Sequence, residues 1–291
     1  MYDAIVVGGS YAGLSAATQL ARARRRLLVI DAGKRRNRFA EVSHGFLSRD
    51  GAAPGAIVAE ARTQLLAYPT VEWHDGEAIA AEAIDDGFAV TDAGGTRAEA
   101  RRLVLALGVS DTLPSVPGLA ERWGRSVFHC PYCHGYEVDG QIGVLAVRPD
   151  SVHHAFMLPD WGPTTYFLNG QALDTEARGK LVARGVSFES EPIRAIGGHA
   201  DIELASGRIV RLGGLFTATG TQPSSPLAEQ LGCALDESPA GRFIRTDGMK
   251  ATTVPGVYAC GDAARAFGNV AFAVGDGAQA GAATHQSLMF S

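Results

Sequence analysis

Short apolar runs ended by glycine alternate along this chain with stretches of helical spacing. Residues 3–7 make the first such run and predict a buried strand. Leu14, Ala17, Leu20 and Ala21 then share one face of a helix expected over 13–25, and Leu-Leu-Val-Ile at 27–30 predicts a second strand. Strand, helix and strand in that order form a βαβ unit, which needs a parallel sheet covered on both faces. Phe88 to Thr91, a Gly94-Gly95 turn and the run Leu103 to Leu107, ending at Gly108, predict a small β element. Strands are expected again near 142–147 and 164–168, with a helix-like stretch at 151–158 between them. Residues 186–210 read as a further β excursion that closes with a strand reaching Gly220, and a last helix is expected over 270–286.

Two stiff connectors, Leu113-Pro114-Ser115-Val116-Pro117-Gly118 and Gln222-Pro223-Ser224-Ser225-Pro226, each follow a strand that ends in Ala-Leu-Gly or Ala-Thr-Gly. This repetition predicts one domain inserted into another. Residues 1–112 and 223–291 would form the outer domain and 113–222 the insert. The class expected is α/β, with two dinucleotide-binding domains.

Composition narrows the function. Of 291 residues 36 are glycine, without a Gly-X-Y period, so the glycine belongs in turns and ligand loops. A net charge of -5 with 46% hydrophobic residues describes an ordinary globular protein and excludes a basic nucleic-acid binder. No apolar run approaches the ~18 residues of a membrane span, and the N-terminus lacks a signal-peptide pattern. A cytoplasmic location without a membrane partner is the expectation. Four cysteines are too few for a disulfide scaffold of this size, and in a reducing compartment the close pair Cys130 and Cys133 points to redox or metal chemistry.

Gly8-Gly9-Ser10-Tyr11-Ala12-Gly13 follows a strand and opens a helix, the context a G-x-G-x-x-G dinucleotide turn requires. Gly8 permits the tight turn, Gly13 permits close helix packing, and the helix N-terminus faces the pyrophosphate. Ser10 stands where the middle glycine is usual and narrows the backbone's approach to phosphate. Asp31, at the end of the next strand, would accept hydrogen bonds from a ribose. Far downstream, Thr252-Thr253-Val254-Pro255-Gly256-Val257-Tyr258-Ala259-Cys260-Gly261-Asp262 resembles the second FAD motif of two-dinucleotide flavoproteins. That resemblance implies that Asp262, beside Gly261, binds the ribityl chain, and that the amides of Val270 and Ala271 face the flavin's pyrimidine edge.

Cys130-Pro131-Tyr132-Cys133-His134-Gly135 is the chemically informative stretch. C-x-x-C spacing lets the sulfurs close a small ring, and a neighbouring base can bring one thiol into the reactive range. His134, of the one side-chain type that by default titrates near neutrality, could shuttle the proton. Zinc would need two further ligands, and His44, His129, His153 and His154 show no matching spacing. Inert buried cysteines and a merely structural His134 remain the plain alternatives.

With these motifs in order, nearly the whole chain resembles the low-molecular-weight thioredoxin reductase-like flavoproteins. The features that carry the resemblance are the N-terminal fingerprint, Ala106-Leu107-Gly108, the inserted C-x-x-C, Ala218-Thr219-Gly220 and Gly261-Asp262. It implies FAD as cofactor, a homodimer, Cys133 against the flavin and Cys130 as the sulfur that exchanges with a partner disulfide or dithiol. Asn37 and Arg38 would reach the flavin or pyrophosphate, although Lys34-Arg35-Arg36 beside them reads equally as a solvated face. Ser43-His44-Gly45 would lie along the isoalloxazine.

The sequence departs from that family at two places. Gly143-Val144-Leu145-Ala146-Val147-Arg148-Pro149-Asp150-Ser151 offers no second glycine loop, and the strand ending at Leu168 leads to Asn169 with no arginine before Arg178. Neither a phosphate cradle nor a clamp for the 2'-phosphate of NADPH is visible, so the inserted NAD(P)-type domain is degenerate. His134 stands where thioredoxin reductases carry Asp, and C-x-x-C-H-G-Tyr-Glu looks like the dithiol oxidases that close disulfides in gliotoxin- and holomycin-type metabolites. The reading is an FAD enzyme passing electrons between a small-molecule dithiol, or a thioredoxin-like protein, and the Cys130-Cys133 pair. His134 would handle protons, with Glu137 a candidate orienter that reads more readily as a solvated turn residue, and the enzyme would work as an oxidase without NADPH. A thioredoxin-disulfide reductase using NADPH or another donor is the near alternative, and a flavin-containing redox sensor the distant one.

Overall fold

The computed structural model describes residues Met1–Phe290. The chain divides into two compact units, one of Met1–Arg38, Phe46–Ser110 and the chain from Thr221 onward, the other of Phe39–Gly45 and Asp111–Gly220.

In the first unit β1 (Tyr2–Val7), α1 (Tyr11–Arg22) and β2 (Leu27–Asp31) form the expected βαβ unit, with β1 and β2 parallel. Helix α1 starts and stops earlier than the periodicity predicts. Gly13 reads as part of a turn, yet it lies inside the helix, where a Cβ would stand 1.7 Å from the carbonyl oxygen of Gly8. Arg24, at φ 58°, ends the helix and turns the chain toward β2. The elements between β2 and the expected β element escape the sequence reading: α2 (Pro54–Leu66), β3 (Val71–Asp75) and β4 (Ala78–Ile84). Strand β3 extends the parallel sheet beyond β2, while β4, β5 (Gly87–Asp92) and β6 (Arg97–Leu105) form an antiparallel meander whose last strand lies parallel to β1. The two-residue alternation of β1 explains the layering. Ala4 and Val6 pack on the helical side with Leu14 and Leu20, whereas Ile5 and Val7 pack on the other side with Leu28, Ile30 and Val90. Strand β7 (Val109–Thr112) follows.

The second unit carries β8 (Val127–Phe128), α3 (Pro131–His134), β9 (Ile142–Leu145), α4 (Val152–Met157), β10 (Thr164–Phe167), α5 (Thr175–Ala183) and β11 (Ser187–Glu189). An antiparallel excursion of β12 (Ile193–Gly197), β13 (Asp201–Leu204) and β14 (Ile209–Val210) precedes β15 (Gly214–Thr217). Its main sheet is parallel, in the order β11-β10-β9-β15-β8. Apolar side chains fill both of its faces, with Leu145, Phe167 and Leu215 on one and Val144, Tyr166 and Phe216 on the other.

The chain then continues through β16 (Gly220–Pro223), α6 (Leu227–Gln230), β17 (Leu235–Ser238) and β18 (Gly241–Ile244). Strand β19 (Val257–Ala259) joins the first unit's sheet beside β6, and α7 (Val270–Ser287) lies against α1. Glycine makes that helix contact close: Cβ atoms at Gly277 and Gly281 would stand 2.1 and 2.4 Å from the carbonyl oxygens of Ala12 and Ala16. Ser15 Oγ donates to the Val274 carbonyl across the same seam, at 2.7 Å. Among the described residues no helix is long and apolar enough to cross a membrane.

Candidate functional site

The first unit builds a backbone cradle at the C-terminal ends of its parallel strands. Gly8, at φ 101°, turns sharply after β1, and a Cβ there would lie 2.2 Å from the Ala106 carbonyl oxygen, so only glycine is accommodated. Gly9 is equally confined, beneath the Trp73 ring. Ser10 is extended, at φ -96°, and serves as N-cap residue of α1 without a side-chain cap, so a middle glycine is not needed for the turn itself. The first-turn amides of Tyr11, Ala12 and Gly13 therefore point out of the helix with no intrahelical acceptor. Asp31, at the end of β2, takes the Gly9 amide on one carboxylate oxygen at 2.9 Å and keeps the other. Asn37 donates from Nδ2 to the Tyr11 hydroxyl at 3.1 Å, while its Oδ1 is buried without a partner among the described residues. Arg38 is exposed and donates to the Arg35 carbonyl, and Gly108, at φ 63°, has open space above it.

The second motif arrives at the same place from the other end of the chain. Gly261, at φ 72°, lies so close to α1 that a Cβ on it would stand 2.8 Å from the Ala12 Cβ. Asp262 follows it and accepts from Arg36 Nη1 at 3.2 Å, and both side chains are largely withdrawn from solvent. The backbone of Gly268 closes over the same carboxylate. Asn269 caps α7 by accepting from the Phe272 amide at 2.8 Å, which leaves the amides of Val270 and Ala271 for another acceptor. Two helix N-termini, tight glycines and an orphaned amide oxygen together fit an elongated, anionic dinucleotide.

The second unit holds the dithiol. Cys130 and Cys133 form a disulfide, with Cys130 as N-cap residue of α3 and its carbonyl accepting the Cys133 amide at 3.2 Å. Cys130 is only 1% exposed, whereas Cys133 is half-buried. Tyr132 and Tyr136 flank the pair and are 70% and 89% exposed, and the Trp161 ring packs against Gly135. His134 stacks on Phe128 of β8 at 4.2 Å between ring centroids. Burial, followed by the nearby His44, lowers its pKa to about 4. This corrects the expectation of a histidine poised near neutrality: the ring is neutral at pH 7 and available as an acceptor. Glu137 does not orient it. Its carboxylate lies 3.4 Å from His44 Nε2 instead, because the 3-10 turn at Gly135–Glu137 carries it toward the 39–45 segment.

The turn after β9 is already closed by the chain's own groups. Ser151 Oγ, fully buried, accepts from the amides of Val147 and Arg148 at 3.1 and 3.3 Å, and Arg148 Nε pairs with Asp150 at 2.6 Å. After β10, Asn169 adopts φ 45° and accepts the Ile193 amide on Oδ1 at 2.9 Å, tying the strand end to β12. Two backbone donors of this turn, the Val147 and Arg148 amides, are therefore taken.

Sequence reasoning missed the contacts that three of these side chains make, although it had named His44 and His154. Arg36 was one of a basic run until the fold set it on Asp262. His44 had no partner visible within its own segment. His154 of α4 hydrogen-bonds the His129 carbonyl, next to Cys130, and burial still holds its pKa below the usual histidine value. Only the last carries a local signal, the histidine pair at 153–154 itself. Among the described residues no three His, Cys, Asp or Glu side chains gather as metal ligands.

A nucleotide cradle in one α/β unit and a disulfide in a second define a thioredoxin reductase-like two-domain flavoprotein. The chain belongs to the pyridine nucleotide-disulphide oxidoreductase family, whose model matches residues 2–142 and 167–279. The intervening stretch left unmatched contains the closed turn after β9. Among curated proteins, the thioredoxin reductase tcpT of Claviceps purpurea is 32% identical, covering 99% of this chain and 94% of its own length. Among solved structures, an oxidoreductase from Agrobacterium tumefaciens is 56% identical with a TM-score of 0.97, covering 99% of each chain. The crystal structure of HlmI is 36% identical with a TM-score of 0.92, over 99% of this chain and 92% of that one. The protein is thus an oxidoreductase of the family that acts on disulfide and thiol groups.

Proposed function

We propose that the protein is an FAD-dependent dithiol oxidase that works without NADPH. The observation that carries this reading is the turn after β9, whose amides are held by Ser151 Oγ rather than left open for a pyrophosphate. FAD would be held by the backbone at Gly8 and Ser10–Gly13, by Asp31, Asn37 and Arg38, by Gly108, and by Gly261, Asp262 and the amides of Val270 and Ala271. When bound, FAD supplies a two-electron acceptor.

The chain's own residues provide the rest. A substrate thiol gives its proton to the neutral imidazole of His134, and the thiolate attacks the Cys130–Cys133 disulfide. The S–S bond breaks as a mixed disulfide forms. The substrate's second thiolate then displaces the enzyme sulfur, leaving oxidised substrate and two reduced cysteines. Cys130 is the sulfur assigned to exchange with substrate and Cys133 the one assigned to pass electrons to the flavin. Because Cys130 is buried in the disulfide form, the 130–134 turn must open for attack there. The partner is a small-molecule dithiol or a thioredoxin-like protein.

Anaerobic titration of the holoprotein tests this reading. A dithiol such as dithiothreitol is expected to bleach the flavin stoichiometrically and NADPH to leave it oxidised, with Cys133→Ser abolishing the dithiol response. Rapid stoichiometric bleaching by NADPH would overturn the oxidase reading in favour of a reductase.

A further inference from the structure

Cys130, the sulfur assigned to exchange with substrate, is covered in the disulfide form, so the C-x-x-C turn must be held shut and must also be able to move. Helix α3 rests on two aromatic rings. His134 stacks on Phe128, a buried residue of the core, which makes this the inner contact. At the outer one Tyr132 meets the Trp161 ring edge to face, with 5.5 Å between centroids. The same indole covers Gly135, where a Cβ would stand 3.0 Å from Trp161 Cδ1. One side chain thus touches the turn on both sides of Cys133 and His134.

Trp161 stands on a fixed base. It follows α4 through the 3-10 turn Leu158–Asp160, and its amide donates to the carbonyl of the fully buried Leu158 at 2.9 Å. Asp160 is tied to Arg184 at 2.8 Å. Tyr132, by contrast, is 70% exposed. The indole is therefore the fixed partner and the dithiol turn the moving one.

We propose that Trp161 is the positioning residue of the dithiol turn: its ring clasps Tyr132 and Gly135, keeps Cys130 covered, and sets how often the turn opens to an incoming thiol. The inference rests on the dithiol exchange proposed above. Once the turn opens, the substrate sulfur bonds to Cys130 Sγ, the Cys130–Cys133 bond breaks, and Cys133 leaves with the electron pair as a thiolate. Trp161 touches no reacting sulfur in this scheme. An edge-to-face ring pair is worth about two- to tenfold in an equilibrium, strong enough to bias the turn and weak enough to release it.

The test uses the full-length holoprotein mixed anaerobically with excess dithiothreitol, with opening of the disulfide followed by timed acid quench and thiol alkylation. Tyr132→Leu and Trp161→Leu are each expected to speed opening about two- to tenfold, and Tyr132→Phe, which keeps a ring edge on the indole, to match the wild type. The double variant of Tyr132→Leu and Trp161→Leu should open no faster than the faster single one, because each removes the same clasp. General loosening of the unit would multiply the two effects instead. An unchanged or slower rate in Tyr132→Leu, an equal gain in Tyr132→Phe, or multiplied effects in the double variant would overturn the clasp. Tyr132 lies at the surface, so the Leu and Phe variants there decide the matter if Trp161→Leu does not fold. Failure of the wild type to open its disulfide at all would overturn the dithiol reading itself, and the clasp with it.

Discussion

Gly277 of α7 faces the carbonyl oxygen of Ala12 in α1 so closely that a Cβ would stand 2.1 Å from it. Mid-helix glycine normally costs up to ~1 kcal/mol relative to alanine, so the contact, rather than propensity, accounts for its presence. Gly277→Ala is therefore expected to lower stability by about 1–3 kcal/mol through overpacking, and to weaken flavin retention by parting the helices that present Tyr11–Gly13 and Val270–Ala271. Gly275, two residues earlier on the same helix, has nothing within 4 Å, and Gly275→Ala should stabilise instead. Thermal melts of the pair, with the flavin content of each preparation, check the opposite signs.

Asp276, next in line, is buried with Lys250 Nζ at 2.7 Å and Arg265 Nη1 at 2.9 Å, both on the same oxygen. These cations flank the 252–262 motif, so one carboxylate ties both ends of that segment to α7. Asp276→Asn leaves two cations without their counter-charge, a loss on the order of 3 kcal/mol. Denaturant unfolding should show the loss, and the midpoint should recover little with added salt because the site is screened from solvent.

The lowered pKa of His134 has a definite pH signature. Unfolded, the ring titrates near 6.5, and folded near 4, so between these values the unfolded state binds more protons. The contribution is present above pH 6.5 and is lost as pH falls toward 4, with no further change below. For a half-buried ring the amplitude is on the order of 2 kcal/mol. His134→Phe, which preserves an aromatic stack on Phe128, should flatten the difference between unfolding free energies at pH 4.5 and 7.

Cysteine reactivity should divide two and two. Cys260 is fully buried, and that burial pushes its thiol up to about 12, with Asp276 adding to the shift; burial also raises the Cys233 thiol, against a 3.5 Å contact with Thr252 Oγ1. Native protein reduced with dithiothreitol and treated with iodoacetamide at pH 8 should gain label at Cys130 and Cys133 alone, as read by peptide mass spectrometry. Labelling of Cys260 without denaturant would contradict its burial.

How much could be read beforehand depended on whether a feature is local. The alternation Ala4, Ile5, Val6, Val7 names its strand and both of its faces, and Gly8 and Gly261 announce turns because their positive φ leaves other residues no place there. Helix α2 was missed because Ile57, Val58 and Leu65 bury only a thin stripe among alanines and polar residues. Arg36 and Asp262 stand 226 residues apart, and nothing near either residue names the other. The absence of glycine after β9 was legible, but the closure of that turn by a serine hydroxyl was not, since serine is common in any helix-initiating turn. Likewise Glu137 looked like a neighbour of His134 until the 3-10 turn carried it elsewhere.

The Ser151 hydroxyl has a consequence for anyone who would re-engineer this protein. A turn whose amides are satisfied from within is its own inhibitor: an incoming phosphate must compete with a group tethered at very high effective concentration. Restoring glycine at Val147 or Arg148 would loosen the backbone yet leave that internal competitor in place. On the oxidase reading proposed above, a design for nicotinamide binding would begin at Ser151, with the Arg148–Asp150 pair next, and glycine only last.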